Sequence, residues 1–368
     1  MNDVASVPDD VGDIRRVLFL SHSHAFRAFR IGSHHYAREF ARRGVEVIHL
    51  STPISRIHRL LGRVSRSEEA AVPKRTHLDD DGVMHLVPRT LLPIPYGRFS
   101  VIKALKRHDI RPEFDAVLLD QPLLWDASVR DLAPRLVYRP TDLYPSGIKN
   151  RMQHSIRSAV DGVVATSAEV LRDLGEVGQP KVVIGNGVDA AHVASPDGSD
   201  ESRPAVCVYV GALDARLDWQ QLAAWATERP DVRFVVAGPS ATTPAGMPQN
   251  LELIGPVPYS GLPTLLRGAR VGLLPLSDDP LNAGRSPMKL FEYLAAGLAV
   301  VARETPVIRS EADAGLFTYT SSADAAAALD RALAHPSPNA AGVRRASHET
   351  WEQKADELMR FLQRLLSV

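Results

Sequence analysis

The segment Ser286-Pro287-Met288-Lys289-Leu290-Phe291-Glu292-Tyr293-Leu294-Ala295-Ala296-Gly297 carries the most chemistry for its length. Pro287, preceded by Ser286 as N-cap, predicts a helix that starts here. A helix N-terminus presents unpaired N–H groups and partial positive charge, which suits a diphosphate. Lys289 sits in the first turn and adds a full charge, with Met288 beside it; Glu292, three residues on, emerges on the same face. A carboxylate there can accept hydrogen bonds from ribose hydroxyls. An exposed ion pair on an ordinary helix is the plainer alternative.

Two further segments stand after strand-like runs. Gly211 follows the run 206–210 and lets a ligand approach the backbone, while Arg216 offers a forked guanidinium to a phosphate. Neither this loop nor the one after Leu20 carries GxGxxG, which speaks against a dinucleotide cofactor. Asp142, in Tyr138-Arg139-Pro140-Thr141-Asp142, follows another run and can take a proton from a hydroxyl; it is also a residue type that caps turns. Asp120, after Leu119, is its rival. Asp79-Asp80-Asp81 before Gly82 reads as a solvated turn rather than a metal site, and the adjacent His34-His35 face different ways on a helix.

The elements that must position these groups alternate. Apolar runs at 17–20, 45–50, 116–119, 136–138, 162–165 and 182–184 are separated by helical stretches, the pattern of parallel strands covered on both faces. Ser33 is placed to N-cap the first helix. A polar segment, 189–204, reads as a linker, after which runs at 206–210, 233–237, 251–254, 271–276, 298–302 and 316–319 repeat the alternation. The fold class is therefore α/β, with two doubly wound Rossmann-like domains facing a cleft: residues 1–188, the linker 189–204, and 205–349. The terminal segment 350–368 is amphipathic, with capping-box spacing between Thr350 and Gln353.

Composition bounds the partners. The 368 residues carry 43 Lys+Arg against 43 Asp+Glu, and zero net charge argues against general nucleic-acid binding. Cys207 is the single cysteine, which excludes a disulfide framework. Residues 1–13 lack the apolar core of a secretory signal, and no run approaches the ~18 apolar residues of a membrane span. The expectation is a cytoplasmic protein. The stretch 54–66 sets Ile57, Leu60, Leu61 and Val64 among Arg56, Arg59 and Arg63. It reads either as a crossover helix packed on the sheet or as a helix resting peripherally on an anionic membrane surface.

Asn186-Gly187-Val188-Asp189, Asn250-Leu-Glu-Leu-Ile-Gly255 before Leu262-Pro263, and the Gly297-terminated helix resemble the GT-B nucleotide-sugar glycosyltransferases of the family 4-like group, over nearly the whole chain. Met288-Lys289 and Gly32-Ser33-His34-His35-Tyr36-Ala37-Arg38-Glu39 resemble the xanthan-type glucuronosyltransferases. The resemblance implies a nucleotide-diphosphate sugar as donor, UDP favoured, with its diphosphate on Lys289; together with the residue readings above this sets Gly211, Arg216, Ser286, Met288, Lys289 and Glu292 at the donor. It implies a saccharide or lipid-linked acceptor, no cofactor and no metal. In the loop 21–32, His22, His24 and Arg30 are placed to meet the acceptor. Retaining members carry two glutamates eight positions apart, and the first position here is Gly284. An inverting transfer with Asp142 as base is therefore expected; a retaining transferase, a nucleotide-sugar epimerase and a non-catalytic scaffold are the alternatives.

Overall fold

The computed structural model describes residues 14–27, 29–62, 66–97, 99–194, 203–239, 245–310 and 315–365. The 1–13 segment, Arg63, Val64, residues 195–202 of the expected linker and the last three residues lie outside them.

Fourteen of the strands build two sheets. In the first domain they are β1 (Arg16–Ser21), β2 (Glu46–Ser51), β3 (His77–Leu78), β4 (Val83–Leu86), β5 (Ala116–Leu119), β6 (Arg135–Tyr138), β7 (Gly162–Ala165) and β8 (Lys181–Val183), in spatial order β8-β7-β6-β5-β1-β2-β4-β3. Every pairing is parallel except that of β3 with β4. In the second domain β9 (Val206–Val210), β10 (Arg233–Ala237), β11 (Leu251–Gly255), β12 (Val271–Leu274), β13 (Ala299–Arg303) and β14 (Leu316–Tyr319) form an all-parallel sheet ordered β11-β10-β9-β12-β13-β14. The central strands are apolar at almost every position because helices cover both faces. β12 stops at Leu274, two residues earlier than the run suggests, because Pro275 has no N–H for the ladder.

Three helices frame the space between the sheets: α1 (Gly32–Arg42), α2 (Met288–Ala295) and α3 (Trp351–Arg364). Strand order reverses between β1 and β5 in one sheet and between β9 and β12 in the other, and loops leaving those strands are where doubly wound sheets bind ligands. The two reversal points face each other.

The chain crosses between domains twice, and the crossings hold each other. Val188 N–H donates to Glu349 O and Trp351 N–H to Val188 O, both at 2.9 Å. Then α3 returns to the first domain, its start fixed by the expected capping box between Thr350 and Gln353. Trp351, Leu358, Phe361 and Leu362 bury in one core with Val17, Phe19 and Tyr36. The Trp351 indole stacks on His35, centroids 4.7 Å apart.

Two expectations need correction here. Ser33 does not cap α1: the helix begins at Gly32, and the Ser33 hydroxyl bonds the Ser21 hydroxyl (2.7 Å) and His49 Nε2 (3.1 Å) instead. The 54–66 stretch is not one helix. Ile54–Ser55 pairs as a short strand with Arg89–Thr90, a five-residue helix follows at Arg56–Leu60, and another begins at Arg66. Ile54 is buried, whereas Leu60 and Leu61 project into solvent, so the apolar stripe does not dock on the sheet. Among the described residues no helix is long and apolar enough to cross a membrane.

Candidate functional site

A cavity of about 500 Å³ lies between the two reversal points. Asp142, Gly211, Arg216, Ser286, Met288, Lys289, Glu292, His22 and Arg30 all line it. His24 does not: its ring is buried against Phe26 with Nε2 3.6 Å from Glu68, and burial lowers its pKa to about 4. That loop turns inward at Ser23, whose carbonyl is held by His34 Nε2 and by the Ser51 hydroxyl, and His24 follows it into the domain.

On the second domain's side, α2 points its N-terminus into the cavity. Its N-cap is Pro287, and no side chain caps the first turn. Ser286, expected in that role, does something else. Its hydroxyl accepts from Asn186 N–H at 3.0 Å, while Asn186 Nδ2 donates to Ser286 O at 2.7 Å. The serine joins the two domains and leaves the helix end open toward the cavity.

Lys289 is half-buried, with no hydrogen bond or ion pair to its side chain among the described residues. Its aliphatic chain lies on Gly211; a Cβ added there would come within 2.6 Å of Nζ, so glycine is what lets the ammonium reach this position. Burial, then the nearby Arg285, lower its pKa to about 8, against the opposing pull of Glu292. Glu292 is 7% exposed and its pKa is raised by burial, with Lys289 opposing. The expected exposed-ion-pair alternative fails: Glu292 is buried, Lys289 is half-buried, and the two do not bond each other.

Arg285 is a cavity residue that the reading of the sequence passed over. Its guanidinium has no bonded carboxylate among the described residues, and burial followed by repulsion from Arg216 lowers its pKa. The available signal was an arginine immediately before the Ser-Pro helix start. Arg216, by contrast, is held by Asp214, Nη2 to Oδ2 at 2.6 Å, which raises its pKa and fixes its direction. Three cations thus converge beside one helix N-terminus with a single bonded counter-charge, an arrangement that an anionic ligand would relieve.

Across the cavity stands Asp142, exposed and close enough for its charge to act on Arg216, Arg285 and Lys149. The Thr141 hydroxyl donates to Asp142 Oδ2 at 3.2 Å, and His22 Nε2 lies 3.1 Å from the same hydroxyl oxygen. Having given its one proton to Asp142, that hydroxyl accepts from the Nε2–H tautomer of His22. Burial lowers the His22 pKa, keeping the ring neutral. The rival carboxylate is committed elsewhere: both oxygens of Asp120 accept from the buried Arg139 guanidinium. Asp79 closes the turn before β4, accepting from Asp81 and Val83 N–H and facing His85 at 2.8 Å.

Gly284 has a steric reason. Its carbonyl accepts from the Ser167 hydroxyl at 2.8 Å, and an added Cβ would meet the Leu143 side chain at 2.7 Å. This position is a contact between the domains, where a larger side chain would have to displace Leu143 and Val170.

Residues 216–360 match a family model described as "Glycosyl transferase-like". Over 209 residues the chain is 27% identical to the "Putative teichuronic acid biosynthesis glycosyltransferase TuaH" of Bacillus subtilis, covering 52% of this chain; it spans about half the length of that curated relative (51%). Sucrose-phosphate synthase from Thermosynechococcus elongatus superposes with TM-score 0.68 at 13% identity, over 96% of this chain and 100% of that one. Anabaena HepE in complex with UDP and glucose gives 0.65 at 15% identity, over 94% and 98%. These likenesses establish the fold, an α/β pair of Rossmann-like domains in the GT-B arrangement.

The half-buried ammonium gives the site a pH signature. An anion at Lys289 raises its pKa from about 8 toward or beyond the ordinary lysine value, so binding above pH 8 takes up a proton. Affinity for a diphosphate monoester should hold below pH 8 and fall as pH rises past it, with up to one proton taken up per anion bound. Calorimetry in buffers of different ionisation enthalpy measures this. Lys289→Met should abolish the uptake; uptake that persists in the variant would remove Lys289 from the anion site.

Proposed function

We propose that the chain is a glycosyltransferase that moves a hexosyl or glycuronosyl group from a UDP-sugar to a hydroxyl of a saccharide or lipid-linked saccharide, with inversion. The observation that carries this reading is the cluster of Lys289, Arg285 and Arg216 at the open end of α2, facing Asp142 across the cavity. The family match over 216–360, the description of the Bacillus relative and the UDP complex of HepE support it.

In this mechanism the diphosphate lies on the α2 N-terminus between Lys289 and the two arginines, and Glu292 accepts from ribose hydroxyls. Asp142 takes the acceptor's hydroxyl proton as that oxygen attacks the anomeric carbon. The bond from carbon to the β-phosphate oxygen breaks, and its electron pair leaves with UDP, whose charge the three cations stabilise. Thr141 and His22 hold the Asp142 carboxylate in direction. Glycine at 284 favours inversion over a retaining route, because the position offers no carboxylate to the transferred sugar.

Membrane contact belongs to the same proposal. Leu60 (75% exposed), Leu61, Leu91 and Tyr96 (80%) are all solvent-facing, and the 54–55/89–90 strand pair brings their segments side by side. Arg56, Lys103, Lys106 and Arg107 are exposed in the same part of the chain. Apolar side chains among cations suit an anionic lipid surface, where a lipid-linked acceptor would reside.

Asp142→Asn should lower the acceptor-dependent rate of UDP release by about 10²–10⁴-fold while UDP affinity stays near wild type. A near-normal rate would move the base elsewhere, His22 being next in line. For the membrane contact, flotation with phosphatidylcholine vesicles should show binding only when phosphatidylglycerol is added. Leu60→Asp with Leu91→Asp should reduce that binding by at least about tenfold. Equal flotation of wild type and variant would end the idea.

A further inference from the structure

A second cavity, about 410 Å³, shares Arg27, Arg30 and Tyr259 with the interdomain cavity, so these side chains stand between the two. Its charges are nearly all spoken for. Asp189 accepts from Arg38 at 2.6 Å, Asp81 faces Arg42 at 3.0 Å, and Arg27 faces Glu68 at 2.6 Å. Arg30 is the exception. Among the described residues no carboxylate bonds it, and its guanidinium lies 6.0 Å above the Tyr259 ring.

Tyr259 adds an independent observation from the opposite domain. Its phenol oxygen is buried and has no hydrogen-bond partner among the described residues. Burial, with Glu292 and Asp189 nearby, pushes its pKa up, so the group stays an O–H donor. His192 packs on the ring with centroids 4.8 Å apart, and burial lowers its pKa, leaving it neutral. An unpaired guanidinium and an unpaired donor, one from each domain, lie where the two cavities share their lining. A neutral hydroxyl would satisfy the phenol but leave the guanidinium uncompensated; an oxyanion satisfies both.

Resting on the transferase reading above, we infer that the acceptor bears an anionic group, a carboxylate or a phosphate, seated between Arg30 and Tyr259 in this second cavity while its hydroxyl reaches Asp142 in the first. Arg30 then sets acceptor specificity, and the contact spans both domains, so the anionic acceptor also favours their closed arrangement.

The test uses the full chain loaded with UDP and titrated with D-glucose, D-glucuronate and D-glucose 6-phosphate, followed by ligand-observed NMR. The expected result is that at least one anionic sugar binds about tenfold or more tighter than glucose. Which of the two prevails tells carboxylate from phosphate. Arg30→Gln should erase the preference, and Arg30→Lys, which keeps the charge, should retain part of it. Equal binding of the three sugars, binding of none, or a preference intact in Arg30→Gln overturns the inference. UDP binding by the wild-type chain is the control on the underlying reading: its absence fails that reading, whereas UDP binding without anionic preference fails only this one.

Discussion

Holding the half-buried Lys289 ammonium beside the Arg285 guanidinium is the constraint around which the second domain is arranged. Arg285 disfavours the charge on Lys289, Arg216 disfavours that on Arg285, and desolvation disfavours both. The surrounding residues answer that constraint one by one. Gly211 has no side chain where the lysine must lie, Asp214 directs Arg216 toward the same space, and Ser286 gives its hydroxyl to the other domain instead of blocking the helix end. A fold that tolerates such a cluster is pre-organised for an anion with more than one negative charge, and binding such an anion would stabilise it.

The same arrangement links the chemistry to the joint between the domains. Ser286 and Gly284 flank Arg285 in sequence, and both bond the first domain, through Asn186 and Ser167. The cation between them is therefore positioned by domain closure as well as by its own strand-to-helix loop. Behind the cleft, Asp189 at the first crossing pairs with Arg38 of α1, and Trp351 at the second stacks on His35 of the same helix. One helix of the first domain thus anchors both crossings.

Much of this was legible in the residues, and the parts that were not share physical causes. The buried parallel strands read clearly because both their faces are apolar, and the reversal points follow from strand order once the sheet is known. Segment 51–111 did not read, since its strands of two to four residues leave no periodicity to detect. Serines misled for a different reason. Ser33 and Ser286 stand where an N-cap belongs, but tertiary partners (His49 and Ser21 for one, Asn186 for the other) took their hydroxyls. His24 looked like a cleft residue from its place after β1, yet a two-residue difference from His22 carries it into the domain. Arg285 is not legible as a site residue because nothing in its spacing separates a half-buried cation from an exposed one; only the packing around Gly284 does that.

Most depends on the interdomain cavity being a nucleoside-diphosphate site built on Lys289 and the α2 N-terminus. Calorimetric titration of the intact chain with UDP, GDP and dTDP tests this most directly, repeated on Lys289→Ala. The predicted result is one-to-one binding of UDP in preference to the other two, weakened at least about tenfold by the substitution. Binding of none of the three, or UDP affinity unchanged in Lys289→Ala, would contradict it.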